Sequence, residues 1–320
     1  MLVPLVVAVA ACSPGDRRVA PVVLSSPSLV PAAWPATDAD YPAASGAAAC
    51  DPRESLTPLS TLPKPGNMPP GSTMERIRRD QRLRVGVDQN TMFFASIDRL
   101  SKENVGFDID MAEAVGLAIF GEPGHVDYQV ITQAQRIPML QQGKVDLVVD
   151  TMTITCDRKT QVSFSGNYYD DGQRILVPRD SPAQNIAGLA GQRVCTARVT
   201  TSIVTLRNSG VLPYAVDNWT DCLVALQRGE VDAISTTGAL LAGLKAQDVD
   251  TEIRGPRFTD EPHGMAVPLG QDDFVRFLNR LLADMIEDGR WQAMYDRWLA
   301  VPLADPANPD PEPPVTRYRD

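Results

Sequence analysis

Alternating apolar and polar positions over residues 83–87 and 126–130 predict two short β-strands. Between them, apolar residues recur every three or four positions, which predicts an amphipathic helix with Asp108 as its N-cap. Its apolar positions are Ile109, Ala112, Val115 and Ile119. A second helical stripe ends at Gly289 and is followed by a short helix, expected over 291–299. This stripe consists of Phe274, Phe277, Leu278, Leu281, Leu282 and Met285.

One pattern occurs twice, as LQQGKVD at 140–146 and as LQRGEVD at 226–232, each time followed by apolar residues. It is typical of a helix, a glycine stop and a buried strand. A further strand precedes each copy, at 83–87 and at 193–195. Two similar units predict two α/β lobes, although this order of elements is common enough to recur by chance.

The composition fits a folded protein between two segments of low complexity. With 320 residues, of which 43% are hydrophobic and 22% charged, the chain can bury one large core or two smaller ones. A formal charge of -10 argues against sequence-independent binding of nucleic acid, which needs clustered cations. Residues 13–75 are rich in Pro, Ala and Ser and predict a tether, and 301–320 predict an extended Pro-rich tail.

The first residues resemble an export signal. Residues 1–11 are apolar but too short to span a bilayer, and they end in Val9-Ala10-Ala11-Cys12. Small residues before a cysteine suit a lipoprotein signal peptidase. We therefore expect 1–12 to be a signal peptide and Cys12 to carry a lipid on the extracytoplasmic face of the membrane. The usual basic residues are missing, so an apolar leader with an incidental cysteine is the alternative.

The number of cysteines also favours export. Five is odd, and lipidation of Cys12 leaves four for disulfides. Four cysteines allow three pairings. We favour Cys195 with Cys222, which flank one αβ unit, and Cys50 with Cys156, which would attach the N-terminal arm to the core. Free buried thiols in a cytosolic protein are the alternative.

The chain offers little catalytic chemistry. His125 and His263 are its two histidines, and neither lies near a nucleophile motif. No phosphate-binding glycine loop or metal-ligand spacing is found, so we expect neither cofactor nor metal. Hydroxyl and guanidinium groups do cluster at predicted strand ends, where helix N-termini favour anions. These residues are Thr151, Thr153, Arg158, Thr200, Thr201 and Ser202. They indicate a carboxylate ligand, or else ordinary turn and capping chemistry.

Several motifs, in order from about residue 76 to 300, resemble the amino-acid-binding branch, family 3, of the bacterial extracellular solute-binding proteins. They are GFDID at 106–110, RIPMLQ at 136–141, TITCDR at 153–158, TTS at 200–202, ALLAG at 239–243 and GRW at 289–291. The cysteine-bearing forms, TCDR and DCLVAL at 221–226, are similar to those of actinobacterial glutamine-binding lipoproteins.

The resemblance implies an α/β chain with the two-lobed periplasmic-binding-protein fold of type II. Each lobe would be a mixed sheet flanked by helices. Lobe 1 would comprise 76–176 and 263–300, and lobe 2 would comprise 177–262. Two strands, near Leu176 and Gly264, would cross between the lobes, which would close on a ligand by a hinge motion.

The resemblance also implies a binding site. Arg158 would hold the ligand's α-carboxylate in a bidentate pair. Hydroxyl and backbone groups would come from both lobes, at Thr151, Thr153, Thr201 and Ser202. Arg136 occupies a position that reads a side-chain carboxylate in some relatives, although an exposed helix arginine is equally consistent. Asp88 would read an amide or amino group, and Phe93 or Phe94 would form an apolar wall.

One position departs from the family pattern. The chain has Thr237 where the family usually places an aspartate for the ligand's α-ammonium, and an unpaired buried ammonium is costly. Either Asp88 or Asp150 takes that role, or binding is weak, or the ligand has no α-amino group.

The resemblance therefore predicts a monomeric binding protein for glutamate, aspartate, glutamine or asparagine. Its protein partner would be an ABC permease or a membrane sensor. Through the lipid on Cys12 it would also be anchored in the bilayer. Two alternatives stay open. One is an enzyme on the same fold, such as a dehydratase of cyclic acids using Asp88, Asp150 or His263. The other is a degenerate receptor with a structural role.

Overall fold

The computed structural model describes residues 35–43, 46–304 and 312–320. The leader and Cys12 lie outside the described residues, so the signal peptide and the lipid anchor stay predictions. Within the described ranges, no helix combines the length and the apolar character that a membrane crossing needs.

Strands and helices alternate along most of the chain. In chain order, the strands are β1 (Glu54–Leu56), β2 (Leu83–Val87), β3 (Asn90–Thr91), β4 (Ala95–Ile97), β5 (Asn104–Val105), β6 (Val126–Val130), β7 (Leu147–Val148), β8 (Val162–Asp171), β9 (Gln173–Pro178), β10 (Arg193–Ala197), β11 (Leu212–Val216), β12 (Ala233–Thr237), β13 (Thr251–Arg254), β14 (Glu261–Pro268) and β15 (Arg317–Arg319). The α-helices are α1 (Thr73–Arg79), α2 (Phe107–Phe120), α3 (Arg136–Gln141), α4 (Cys156–Lys159), α5 (Thr201–Arg207), α6 (Trp219–Gln227), α7 (Gly238–Lys245), α8 (Asp272–Glu287), α9 (Arg290–Trp298) and α10 (Ala300–Leu303).

Two five-stranded sheets form the centres of two lobes. Lobe 1 has the strand order β6-β2-β7-β14-β8, and lobe 2 has the order β11-β10-β12-β9-β13. In each sheet the first three strands in this order are parallel, the fourth runs antiparallel to them, and the fifth is antiparallel to the fourth. Helices pack against both sheets, so the prediction of two mixed α/β lobes is confirmed.

Both copies of the repeated pattern fold as a helix, a glycine with positive φ and a strand. In the first copy, the Asp146 carboxylate accepts hydrogen bonds from the backbone N–H and guanidinium of Arg84, which also donates to the Gly143 carbonyl. The second copy repeats these bonds among Arg193, Asp232 and Gly229. The repeated aspartate therefore ties each helix-to-strand turn to the neighbouring strand.

The helical stripe before Gly289 is confirmed as α8, and its apolar residues are buried in the core of lobe 1. The expected N-cap of α2 is wrong. Gly106, with φ of 135°, occupies that position. Asp108 is instead buried in the first turn, where its carboxylate accepts hydrogen bonds from Tyr168 and from the backbone of Thr151.

The chain crosses between the lobes a few residues away from the predicted positions. It leaves lobe 1 at Gly172, between β8 and β9, and returns between β13 and β14. A side chain at 172 would lie 2.3 Å from the Thr259 carbonyl oxygen, so glycine is required where the two crossings approach each other. Residues 173–176 therefore belong to the sheet of lobe 2, and residues 261–262 belong to that of lobe 1.

The favoured disulfide pairing is confirmed. Cys195, at the centre of β10, is bonded to Cys222 on α6, with Cα atoms 5.5 Å apart. Cys50 is bonded to Cys156 at the start of α4, with Cα atoms 5.7 Å apart. The first bond lies inside lobe 2, and the second joins the N-terminal arm to lobe 1.

The described parts of the expected tether and tail are packed on the lobes. Asp40, in the N-terminal arm, packs on lobe 2. Its carbonyl accepts a hydrogen bond from the Val199 N–H, and its carboxylate forms an ion pair with Arg198. On lobe 1, β1 of the N-terminal arm pairs in parallel with β15 near the C-terminus, so the arm and the tail form a small sheet. The proline-rich segments are therefore extended, as expected, but their described parts pack on the lobes.

Candidate functional site

A small cavity lies between the lobes, at the carboxyl ends of their parallel strands. It brings together most of the residues proposed from the sequence, namely Arg136, Thr151, Thr153, Arg158, Thr201, Ser202 and Thr237. Other lining residues are Gln133, Thr200, Trp219, Thr236, Leu240 and Glu261. Its volume of about 20 Å³ leaves room for little more than one water molecule. The cleft is therefore closed in this structure, and an amino acid would have to open it.

Arg158 provides a buried cation in this cavity. It follows Thr155, whose hydroxyl caps α4, and its guanidinium donates a 2.7 Å hydrogen bond to the carbonyl of Thr153. No carboxylate of the described residues forms an ion pair with it. Burial lowers the pKa of Arg158 to about 9, so the side chain remains charged at neutral pH. Such a guanidinium can bind a ligand carboxylate with two parallel hydrogen bonds.

Glu261 places a carboxylate in the same cavity. It is 3% exposed, and its Oε2 accepts hydrogen bonds from the hydroxyls of Thr153, at 2.6 Å, and Thr201, at 2.8 Å. Thr153 belongs to lobe 1 and Thr201 begins α5 in lobe 2. The carboxylate of Glu261 therefore connects hydroxyls of both lobes across the closed cleft.

Arg136 is buried over a group of acidic side chains. Its guanidinium donates to the carbonyls of Gln133 and Asp150, and its Nε lies 4.0 Å from the Asp150 carboxylate. Burial raises the pKa of Asp150 well above its usual range, while the positive charge of Arg136 opposes this shift. Arg136 thus lines the cavity, as expected, but part of its charge is offset by a carboxylate of lobe 1.

Asp88 and Phe93, which were also proposed for the site, do not line the small cavity. Asp88 is 1% exposed, and its oxygens accept hydrogen bonds from Asn90 and Gln133. It positions Gln133 and does not face the ligand cavity. Phe93 has φ of 76° in the turn before β4 and lines a separate surface cavity beside Trp298. The neighbouring Phe94 is buried in the core.

Thr151 has an unusual backbone conformation. Its φ is 42°, a left-handed value that β-branched residues rarely adopt. The Asp108 carboxylate accepts a 2.9 Å hydrogen bond from its N–H and thereby holds the turn. Strain of this kind costs of order 1–3 kcal/mol and tends to occur at functional sites. It fits a turn that is shaped to line the cavity.

Two polar atoms at the cavity have no hydrogen-bond partner in the described part of the chain. They are the indole Nε1 of Trp219 and the hydroxyl of Thr237. Thr237 precedes α7 but does not cap it. Asp171, from the end of β8, accepts hydrogen bonds from Gly238 and Ala239 and caps that helix instead. The Thr237 hydroxyl is therefore available to a ligand.

A larger cavity of about 600 Å³ adjoins the small one and shares Gln133, Arg136, Arg158 and Thr201 with it. Ile137 of lobe 1 and Val204 of lobe 2 contribute apolar walls. Residues 41–43 of the N-terminal arm also line it, and the Tyr41 ring lies 4.2 Å from the guanidinium of Arg207. The cleft thus has a mouth that is bordered by both lobes and by the arm.

We predict that Asp108 makes stability fall as pH rises. Burial raises the pKa of this carboxyl to about 7 in the folded protein, against a usual value of 3.8. Between these values the folded state binds more protons than the unfolded state, so the free energy of unfolding decreases toward pH 7. The slope from one such group is at most about 1.4 kcal/mol per pH unit.

Urea unfolding of the wild type and of Asp108→Asn at several pH values from 4 to 8 tests this prediction. The difference between the two curves isolates Asp108. Burial lowers the pKa of His263 to about 3, and its effect on stability is present in the curves of both proteins, so it cancels in their difference. Parallel curves for the two proteins would contradict the prediction.

Glu261 and Trp219 line the cavity although neither was proposed from the sequence. Trp219 opens α6, with two residues between it and the end of β11, so its place near a strand end was a usable signal. Glu261 begins β14 at the second crossing, and no local motif distinguishes it from other acidic residues before a strand. Its importance depends on contacts with Thr153 and Thr201, which are distant in sequence.

Comparison with known proteins agrees with this architecture. The family model described as bacterial extracellular solute-binding proteins, family 3, matches residues 83–301, which include both sheets and the cavity. The chain belongs to this family. Among curated relatives, the ABC transporter glutamine-binding protein GlnH of Bacillus subtilis (strain 168) is 34% identical over 232 residues, covering 71% of this chain and 84% of the relative.

Solved structures of similar proteins have the same fold. An ancestral arginine-binding protein bound to glutamine is 32% identical with a TM-score of 0.63, covering 68% of this chain and 98% of its own. The ancestral amino acid-binding protein AncCDT-1, a precursor of cyclohexadienyl dehydratase, is 30% identical with a TM-score of 0.64, covering 71% of this chain and 99% of its own. The family 3 fold expected from the sequence motifs is thereby confirmed.

Proposed function

We propose that this family 3 protein captures a small α-amino acid between its lobes and presents it to a membrane partner. The observation that carries the proposal is the cavity with Arg158, a buried guanidinium that forms no ion pair with a described carboxylate, beside hydroxyls from both lobes. A ligand carboxylate would supply the missing countercharge. Contacts from both lobes would then favour closure around the ligand.

Glutamine and asparagine are the preferred ligands in this proposal, followed by glutamate and aspartate. Arg136 already lies beside the Asp150 carboxylate, which leaves Arg158 as the guanidinium for one ligand carboxylate. A neutral amide side chain therefore fits the charge of the cavity better than a second carboxylate does. The glutamine-binding relative and the glutamine-bound ancestral structure support this order.

We further propose that the protein acts as a monomer on the extracytoplasmic face of the membrane, held by a lipid on Cys12. The partner would be an ABC permease, as the name of the Bacillus relative suggests, or a membrane sensor. The two disulfides support an oxidising compartment.

A binding role is also favoured over catalysis. His263, an acid-base candidate, is fully buried behind the cavity, and neither ring nitrogen has a hydrogen-bond partner among the described residues. Asp88 and Asp150 likewise lie outside the cavity lining. Turnover of a prephenate-like substrate by the purified protein would favour the enzyme alternative, and the similarity to AncCDT-1 makes that control worthwhile.

A thermal-shift screen tests the proposed function. Ligand that binds the folded state alone stabilises it by RT ln(1 + [L]/Kd), or about 2.7 kcal/mol at 100 times Kd. We expect L-glutamine or L-asparagine to raise the melting temperature most, L-glutamate and L-aspartate less, and D-glutamine not at all. No shift with any of these amino acids would reject the proposal and favour a degenerate receptor.

A further inference from the structure

The Glu261 carboxylate has an unusual position for a buried acid. It is the acidic side chain among the residues that line the small cavity, and Thr259 donates a hydrogen bond to its second oxygen at 2.9 Å. No Arg, Lys or His nitrogen of the described part of the chain forms an ion pair with it. Buried carboxylates usually have a cationic partner or several hydrogen bonds. Here, within the described ranges, hydroxyl groups satisfy the charge.

Glu261 and Arg158 are complementary and are both positioned by Thr153. The carbonyl of Thr153 accepts a hydrogen bond from the Arg158 guanidinium, and its hydroxyl donates to the Glu261 carboxylate. Arg158 and Glu261 therefore lie on either side of a single residue, and neither forms an ion pair with another described residue. The other cation of the cavity, Arg136, lies beside Asp150. An α-amino acid carries the opposite charges on its carboxylate and ammonium groups.

We propose that Glu261 binds the α-ammonium group of the ligand and makes the site selective for free amino acids over des-amino acids. The inference rests on the proposed function. Glu261 would give the ammonium a carboxylate partner, although Thr237 occupies the position where the family usually places an aspartate. When a ligand enters, the hydroxyls of Thr153 and Thr201 can rotate toward it, because threonine O–H groups are both donors and acceptors. Glu261 then accepts hydrogen bonds from the ammonium.

The other acids near the cleft fit this role less well. Both oxygens of Asp88 already accept hydrogen bonds from Asn90 and Gln133. Asp150 is fully buried beside Arg136 and does not line the cavity. Glu261 also begins β14, which follows the second crossing between the lobes. A ligand bound there would contact the segment that moves during closure.

Isothermal titration calorimetry with two probes tests the proposal. The probes are L-glutamine and 4-carbamoylbutanoate, which is glutamine without its α-amino group. We expect the wild type to bind L-glutamine about 100-fold more tightly than the des-amino probe. Glu261→Gln should weaken L-glutamine binding by about 100-fold and change the des-amino affinity little. Glu261→Asp, which keeps the charge, should be intermediate.

Glu252→Gln is the matched control, because Glu252 lies outside the cavity with 46% of its side chain exposed. It should bind both probes as the wild type does. If the wild type binds L-glutamine and Glu261→Gln binds it equally well, the inference is overturned while the proposed function stands. If the wild type binds no amino acid, the proposed function fails. If Glu261→Gln does not fold, equal affinity of the wild type for the two probes would still overturn the inference.

Discussion

Arg158→Leu should lower the affinity for the amino acid by at least about 100-fold without destabilising the protein. The binding loss follows because an aliphatic side chain at this position could not hold a carboxylate. Stability should be unchanged or higher, because the desolvation cost of a buried guanidinium that forms no ion pair with a described carboxylate offsets its attraction to Glu261. Removal of the guanidinium leaves one carbonyl, that of Thr153, to find another donor. Calorimetry and urea unfolding measure the two quantities on the same preparation.

Two further variants make this experiment sharper. Arg158→Lys keeps the charge but loses the planar pair of donors, and we expect a loss of about tenfold. Arg82→Leu removes a guanidinium that is 61% exposed, and it should change neither binding nor stability. Full affinity in Arg158→Leu would mean that the carboxylate binds elsewhere. A loss of stability above about 2 kcal/mol would give Arg158 a structural role.

Asp171→Ala should destabilise the protein by about 3 kcal/mol and weaken ligand binding. Asp171 is fully buried at the first crossing, where its carboxylate accepts hydrogen bonds from Gly172, Gly238 and Ala239. It also lies 3.5 Å from the guanidinium of Arg257. Its removal takes the acceptor away from the buried N–H groups of Gly172 and Ala239, and takes the nearby carboxylate away from Arg257, which keeps a hydrogen bond to the Asp170 carbonyl. It also releases the start of α7, which places Thr237 and Leu240 at the cavity.

The neighbouring residue provides the control. Asp170 is 30% exposed and forms an ion pair with Arg53, so Asp170→Ala should cost less than about 1 kcal/mol. Urea unfolding gives both free energies, and calorimetry gives the affinities. Equal destabilisation by the two substitutions would show that the helix cap at the crossing is not important.

The lobes were predictable because their signals are local. The repeated helix, glycine and strand can be read from seven residues, and the aspartate of each copy acts on the strand beside it. The hydroxyls and Arg158 follow strand ends, so their convergence in the cleft could also be expected. The favoured disulfides followed from the compactness of one αβ unit and from the position of the N-terminal arm.

The remaining features depend on contacts between distant segments. Glu261 becomes notable only when the second crossing places it between Thr153 and Thr201. The pairing of β1 with β15 joins two low-complexity segments from opposite ends of the chain, and nothing in their composition indicates it. Phe93, or its neighbour Phe94, was proposed for the apolar wall from the family resemblance, but the turn before β4 places Phe93 beside Trp298.

A crystal structure of the protein with the amino acid that stabilises it most tests directly whether Arg158 and Glu261 bind the ligand between the lobes. We expect one ligand in the cleft between the lobes, with its α-carboxylate paired to the guanidinium of Arg158 and its ammonium within hydrogen-bond distance of Glu261. A ligand bound outside this cleft, or one in the cleft with its carboxylate away from Arg158, would contradict this expectation.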